Sequence, residues 1–258
     1  MDLLNSTSQS FDFAEIFTTA IKIPGVKVNR DKFLAERFPN KKYALQDIIN
    51  FGPVSADISK EELSKIANGL IIERTTESSI VSFLAGLPGG WAMAGTIPAD
   101  IAQFFAVTLR LAQELGYLYG AEDFWNNGEL DSEKAKNKLL VYCGVMFGVA
   151  GAEAGLHILS SQLAKTTLEK LPQKALTKTW WYPILKKIGK AIGIKITKEK
   201  VANALAKLIP VFGGVLSGIL NFTSLKPMAN KLKTELEKTA YNYSETDLER
   251  DIKILENI

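Results

Sequence analysis

Hydrophobic residues recur along this chain with the 3.6-residue period of a helix, and two-residue alternation is sustained nowhere, so the pattern predicts an all-α protein. The clearest stretch follows Asp100. On a helical wheel with Asp100 at the origin, Asp100, Gln103, Arg110, Glu114 and Tyr117 share an arc of about 100°. Ile101, Phe104, Phe105, Leu109, Leu111, Leu115 and Leu118 fill the rest. A helix apolar over so much of its circumference belongs in a core. Ser59 to Glu62 has the form of a capping box, and Asp131 and Thr197 read as N-caps. Gly52-Pro53, Pro88-Gly89-Gly90, Asn126-Asn127-Gly128 and Pro172 read as breaks. No break is long enough to be a linker. Residues 1–258 are therefore expected to form a single helical domain, a bundle, with residues 1–40 partly irregular.

Gly144, Gly148, Gly151 and Gly155 follow spacings of 4, 3 and 4, which on a helix puts them within about 60° of one another. Glycine inside a helix costs about 1 kcal/mol against alanine, so something must offset the stripe. The usual compensation is close approach of a second helix, and Gly214 to Gly218 is the candidate partner. The expectation is a glycine-faced central helix pair, with residues 144–155 one continuous helix. Residues 78–99, 139–152 and 208–225 carry no charge, but they are short or cut by proline and glycine, and read as core rather than membrane spans. The polar start, Met1 to Ser10, is unlike a secretory signal.

Composition narrows the chemistry. Apolar residues at 47% and charged residues at 23% are globular values. A net charge of +3 is too small to argue for nucleic acid. One cysteine, Cys143, fits a reducing compartment and excludes a disulfide framework. One histidine, His157, excludes any scheme that needs two. Phosphate-loop, dinucleotide, nucleophile-elbow and zinc-protease motifs are absent. The chain has 26 lysines and 5 arginines, yet Arg110 is the one cation between Arg74 and Lys134. Arginine tolerates burial better than lysine, and Glu114 lies one turn on, in reach of a pair. The strip is then either a satisfied internal network or a site. As a site, Asp100, Arg110 and Glu114, with His157 as a further candidate, would hold a polar ligand or do acid–base work. Glu153 and His157, four apart, could supply two metal ligands, but a third would have to come from Asp100 or Glu114. No metal and no cofactor are expected.

Residues 174–207 carry nine positive charges and one negative. Within them Trp180, Trp181 and Tyr182 precede Pro183, a residue suited to a first helical turn. Beyond it Ile184, Leu185, Ile188, Ala191 and Ile192 span about 120° of a wheel, with Lys186, Lys187 and Lys190 opposite. This is either a surface helix packed on the core or an interfacial helix contacting anionic lipid. The block lacks arginine, and no nucleic-acid partner is expected.

Three stretches carry a family resemblance. They are Ile23 to Leu34 (IPGVKVNRDKFL), Gly86 to Gly120 (with GLPGGWAMAG and LRLAQELGYLYG) and Ile209 to Asn221 (IPVFGGVLSGILN). Together they resemble the bacterial EcsC protein family. The resemblance implies a bacterial helical protein, in a family named after a member encoded beside an ABC transporter. It implies no agreed activity, so it carries over no catalytic residue. Phe104-Phe105 departs from the tyrosine expected in the family run. The leading expectation is a non-catalytic cytoplasmic protein, peripheral to the inner membrane face, acting on an anionic membrane surface or a membrane-protein partner. The alternatives are an enzyme or small-ligand binder using the Asp/Arg/Glu strip, and a membrane-permeabilising effector.

Overall fold

A computed structural model describes residues 13–39, 44–76, 99–126, 129–130, 133–161 and 225–257. Within them lie nine helices: α1 (Phe13–Ile21), α2 (Arg30–Arg37), α3 (Leu45–Phe51), α4 (Lys60–Thr75), α5 (Ala99–Leu118), α6 (Glu133–Met146), α7 (Ala152–Ser160), α8 (Leu225–Tyr241) and α9 (Glu245–Glu256). The protein is all-α, and among the described residues the strands are one two-residue pair, β1 (Trp125–Asn126) and β2 (Glu129–Leu130), antiparallel with Trp125 opposite Leu130. Trp180, Trp181, Tyr182, Lys186, Lys187, Lys190, Gly214, Gly218, Asp131 and Thr197 lie outside the described residues.

Helix α5 is the axis of the bundle, packing against α1, α2, α4, α6 and α8. From Phe105 to Tyr119 every residue but Arg110 is buried, as its nearly unbroken apolar circumference predicts. Helix α8 brings a stripe of Leu225, Ala229, Leu232 and Leu236 to the same core. Each of its leucines contributes about 2 kcal/mol by leaving water. The N-terminal stretch holds α1 and α2 joined by turns, and Ile16, Phe17, Ala20, Ile23, Val26 and Val28 are all buried in that core. Ser59 caps α4, its hydroxyl accepting from Glu62 N–H at 3.3 Å.

The glycine stripe is not a helix face. Helix α6 stops at Met146, the chain turns through residues 147–151, and α7 starts at Ala152. Gly148 has φ +66° and Gly151 φ +84°, a left-handed backbone that clashes with a Cβ. The Gly148 N–H donates to Val145 O at 3.0 Å and the Val149 N–H to Gly144 O at 2.9 Å, the paired bonds of a Schellman stop. Gly151 is then the N-cap of α7. The spacing of Gly144, Gly148, Gly151 and Gly155 thus marks an αα-hairpin, and the continuous glycine-faced helix expected over 144–155 is corrected to two antiparallel-connected helices. The cost of two of its glycines is offset by the turn they permit. Even Gly155, which is helical, has ordinary room: a Cβ there would lie 3.6 Å from Val141.

Among the described residues a close approach of two helices sits on α5. At Gly116, on α5, a Cβ would come within 2.7 Å of the Tyr142 ring on α6. Tyr142 is buried, with its hydroxyl 3.4 Å from that of Ser160, so it has little freedom to yield. Gly116→Ala is expected to destabilise by about 1–3 kcal/mol through overpacking, and Gly148→Ala by about 1–2 kcal/mol through backbone strain. Gly155→Ala is expected to be neutral or to stabilise by up to about 1 kcal/mol. Urea unfolding of the three variants checks that order; a destabilised Gly155→Ala would restore the glycine-face interpretation.

Candidate functional site

Two polar clusters stand inside the bundle. The first is the strip on α5. Glu114 has no exposed side-chain surface. Arg74, from the last turn of α4, approaches it with two nitrogens: Nε is 2.9 Å from Oε2 and Nη2 is 2.9 Å from Oε1. Arg110 adds Nε at 3.1 Å from Oε1, one turn back on the same helix. The i, i+4 pair is therefore formed, and a second arginine completes it. Arg74 Nη1 also donates to Glu73 at 2.6 Å, and Glu73 accepts from Arg37 of α2 at 2.6 Å. Burial works against the Arg74 charge, but its bonds and attraction to Glu114, then Glu73, outweigh it and hold the guanidinium above its ordinary value. The bond from Arg37 holds Glu73 below its ordinary value.

The strip has a further task. Arg110 Nη1 donates to Gly25 O at 2.6 Å, Gln113 Nε2 donates to Val26 O at 2.9 Å, and Gln113 Oε1 accepts from Val28 N–H at 3.3 Å. Polar residues on α5 thus answer successive backbone groups of Gly25 to Val28. That segment enters the core without a helix or sheet of its own, so its backbone groups need such partners. Gln113 completes its set with Leu109 O at 2.9 Å and the Trp125 indole N–H at 2.6 Å, which ties β1 to the helix. Tyr117 donates to Asp123 at 2.8 Å, and burial pushes its hydroxyl far above the ordinary value. Residues 25–28 and helix α5 therefore meet along this seam.

The second cluster surrounds His157, on α7. Its Nδ1 lies 2.6 Å from Asp251 on α9, and its Nε2 lies 2.9 Å from Glu235 on α8. The ring is 3% exposed. Asp251 also accepts from the Tyr243 hydroxyl at 2.9 Å and from Arg250 Nη2 at 3.1 Å. An ionised carboxylate can only accept, so both contacts are hydrogen bonds when the ring carries two protons. Burial alone lowers the basicity of His157, but its bonds to Asp251 and Glu235 reverse this and raise it above the ordinary value. Asp251 is held below its ordinary value for the reciprocal reason, against its own burial, and Glu235 chiefly by the bond from His157. A half-open cleft of about 280 Å³ adjoins the cluster, with Glu153, Lys238 and Arg250 at its walls.

Arg110 and Glu114 are brought together as the pattern predicted, while His157 is bonded elsewhere, to α8 and α9. Asp100 is on α5, and its side chain lies outside the description. Glu153 does not join His157 at a metal but pairs with Lys231 at 2.8 Å. Among the described residues no three ligating groups converge on a metal position. Sequence reasoning missed Arg74, Glu235, Tyr243 and Asp251, whose partners are distant in the chain. Arg74 alone carried a signal, as one of few arginines in a lysine-rich sequence.

Chemically, the Glu114 carboxylate has no exposed surface and is met by the guanidinium groups of Arg74 and Arg110. Both ring nitrogens of His157 are engaged by carboxylates. Both clusters act as struts. Among the described residues no helix is long and apolar enough to cross a membrane. No protein-family model, curated protein or solved structure matches the chain.

Glu114→Ala leaves two guanidinium groups without their carboxylate and is expected to cost about 3 kcal/mol or more. Gln113→Ala, which unties Val26 and Val28, is expected to cost about 1–3 kcal/mol. Thermal melts with far- and near-ultraviolet dichroism check both; an unchanged melt for Glu114→Ala would return the strip to the list of candidate ligand sites.

Proposed function

We propose that this is a non-catalytic helical protein that works at an anionic membrane surface, or on a protein held there. The observation that carries this reading is the segregation within residues 180–192. Trp180, Trp181 and Tyr182 stand ahead of a run whose isoleucines and leucine fall on one arc and whose Lys186, Lys187 and Lys190 fall on the other. Indole and phenol rings favour the headgroup level, and lysines favour anionic lipid. The described part of the molecule lends support by what it spends on itself. Glu114 is consumed by Arg74 and Arg110, and His157 by Asp251 and Glu235, so the groups that would serve an enzyme are engaged in holding helices. The permeabilising alternative needed an unbroken glycine-faced helix, and the turn at 147–151 removes that support. On the motif resemblance we assign the chain to the EcsC family, with a bacterial source and a place at the cytoplasmic face of the membrane.

Flotation with vesicles tests the reading. The full chain is expected to rise with vesicles rich in phosphatidylglycerol and to stay down with neutral phosphatidylcholine. Each lysine near such a surface contributes about 1 kcal/mol, so replacing Lys186, Lys187 and Lys190 with glutamine should weaken partitioning on the order of 100-fold. Adding Trp180→Ala and Trp181→Ala should abolish it. Equal binding to both vesicle types, or flotation untouched by the five substitutions, rejects the assignment.

A further inference from the structure

We propose that His157 is a proton-controlled latch that fastens the C-terminal helix α9 onto α7 and α8, and that α9 lets go when the imidazolium is deprotonated. The argument begins with how α9 is held. The buried residues of the main core run from Ile16 to Leu236, and of α9 the partly buried Leu255 packs against them. Leu248 of α9 instead joins Ile158 of α7 in a small separate cluster, flanked by Tyr243, Ile252 and Leu255. With so little apolar surface, the helix depends on its polar junction. Asp251, 2% exposed, meets His157 Nδ1, and the Tyr243 ring lies against the imidazole at 5.3 Å between centroids. Lys238 of α8 reaches Asp247 at 3.5 Å.

The bond inventory makes the junction sensitive to one proton. An imidazolium has two N–H donors, one for each carboxylate; a neutral imidazole has one. When the proton leaves, one ring nitrogen presents a lone pair to an anionic oxygen, and a repulsive contact replaces a charged hydrogen bond. The remaining N–H serves one carboxylate, and in either tautomer the junction to Asp251 is weakened, to a bond from a neutral donor or to a lone-pair contact. The surviving bond no longer joins opposite charges. Helix α8 keeps its stripe in the main core, whereas α9 keeps only Leu248 and its neighbours, so α9 is the element that detaches.

The other charged groups around the ring do not replace the lost charge. On α7 itself Glu153 is paired with Lys231 of α8. Lys238 is engaged with Asp247, and Arg250 with Asp247 and Asp251. From α6, Tyr142 is kept neutral by burial, and Tyr243 is likewise pushed up, so neither titrates with the histidine. The direction follows from linkage. His157 is raised, so its contribution is complete below its ordinary 6.5 and is lost as pH rises through the folded-state value. Asp251 and Glu235 are depressed, so theirs are present above 3.8 and 4.5 and are lost as pH falls through their folded-state values. The latch is closed between those limits and opens on the alkaline side through His157 alone.

The single histidine makes the test direct. Its ring resonances give the titration midpoint by NMR in the full chain, expected above 6.5. Hydrogen–deuterium exchange, corrected for the pH dependence of chemical exchange, follows residues 245–256 against residues 105–118. Protection of 245–256 is expected to fall at least tenfold across the histidine midpoint while 105–118 holds. Glu235→Gln removes one of the two carboxylates and is expected to lower the midpoint and carry the opening of α9 with it; His157→Gln should leave α9 weakly protected at every pH. Should His157→Gln not fold, Glu235→Gln and the wild-type titration still decide. A midpoint at or below 6.5, flat protection of α9, or a helix transition that fails to follow the ring overturns the proposal.

Discussion

A carboxylate without solvent at the centre of a helical bundle sets the terms for everything around it. An unpaired charge there would cost several kcal/mol, so Glu114 can be buried only if donors are fixed beside it. Arg74 and Arg110 supply them, and in doing so they determine where α4 lies on α5 and where the chain re-enters after α1. Gln113, one residue earlier, answers the backbone of Val26 and Val28 and the indole of Trp125. Hydrophobic burial drives the helices together, but it is indifferent to register. The polar seam on α5 is what has one correct alignment, because each displaced partner would leave a buried group unmatched.

Legibility in the sequence tracks the range of the interaction. The burial of α5 and the Arg110–Glu114 pair were readable because both depend on positions within one helical turn or on a sustained period. Arg74 was not, since it meets Glu114 across 40 residues, and neither were Glu235 and Asp251, which meet His157 across 78 and 94. The glycines show a different failure. Spacings of 4, 3 and 4 suit a helix face, and they suit equally a helix that ends on a left-handed glycine and restarts beyond another; only the positive φ of Gly148 and Gly151 separates the two. Gly116, where two helices do crowd, stands alone in a helix and gives no spacing to read. The hairpin was overlooked with Asn127-Gly128 in plain view between its strands. So was the capping box of Ser244 and Asp247, whose form matches the one noticed at Ser59.

The scarcity of arginine proves more informative than the net charge. Four of the five arginines make bonds that join parts of the fold, and Arg250 bonds within α9. Arg30 donates to Ala121 O and Ile49 O, Arg37 to Glu73, Arg74 and Arg110 to Glu114, and Arg250 to Asp251. Lysine, more strongly hydrated and less able to fork, covers the exterior in larger numbers. In a chain with this bias, an arginine marks a place where a cation is held in fixed geometry.

The two clusters solve one problem with different cations, and the difference has a physical consequence. Glu114 is met by guanidinium groups, which stay charged at any pH a protein meets, so the seam through α2, α4 and α5 has no proton to lose on its cationic side. Asp251 and Glu235 are met by an imidazolium, whose charge is conditional. The apolar support follows the same division: α5 and α8 are rooted in the large core, and α9 buries Leu248 in the small one and touches the large one through Leu255. A permanent cation is therefore found where the bundle is thickest, and the one titratable cation of this type where a helix has least else to hold it. Had the positions been exchanged, loss of a proton would threaten the whole fold, and the C-terminal helix would be fixed at every pH. As the residues stand, a change of charge at His157 is confined to an element that can move without the core following it.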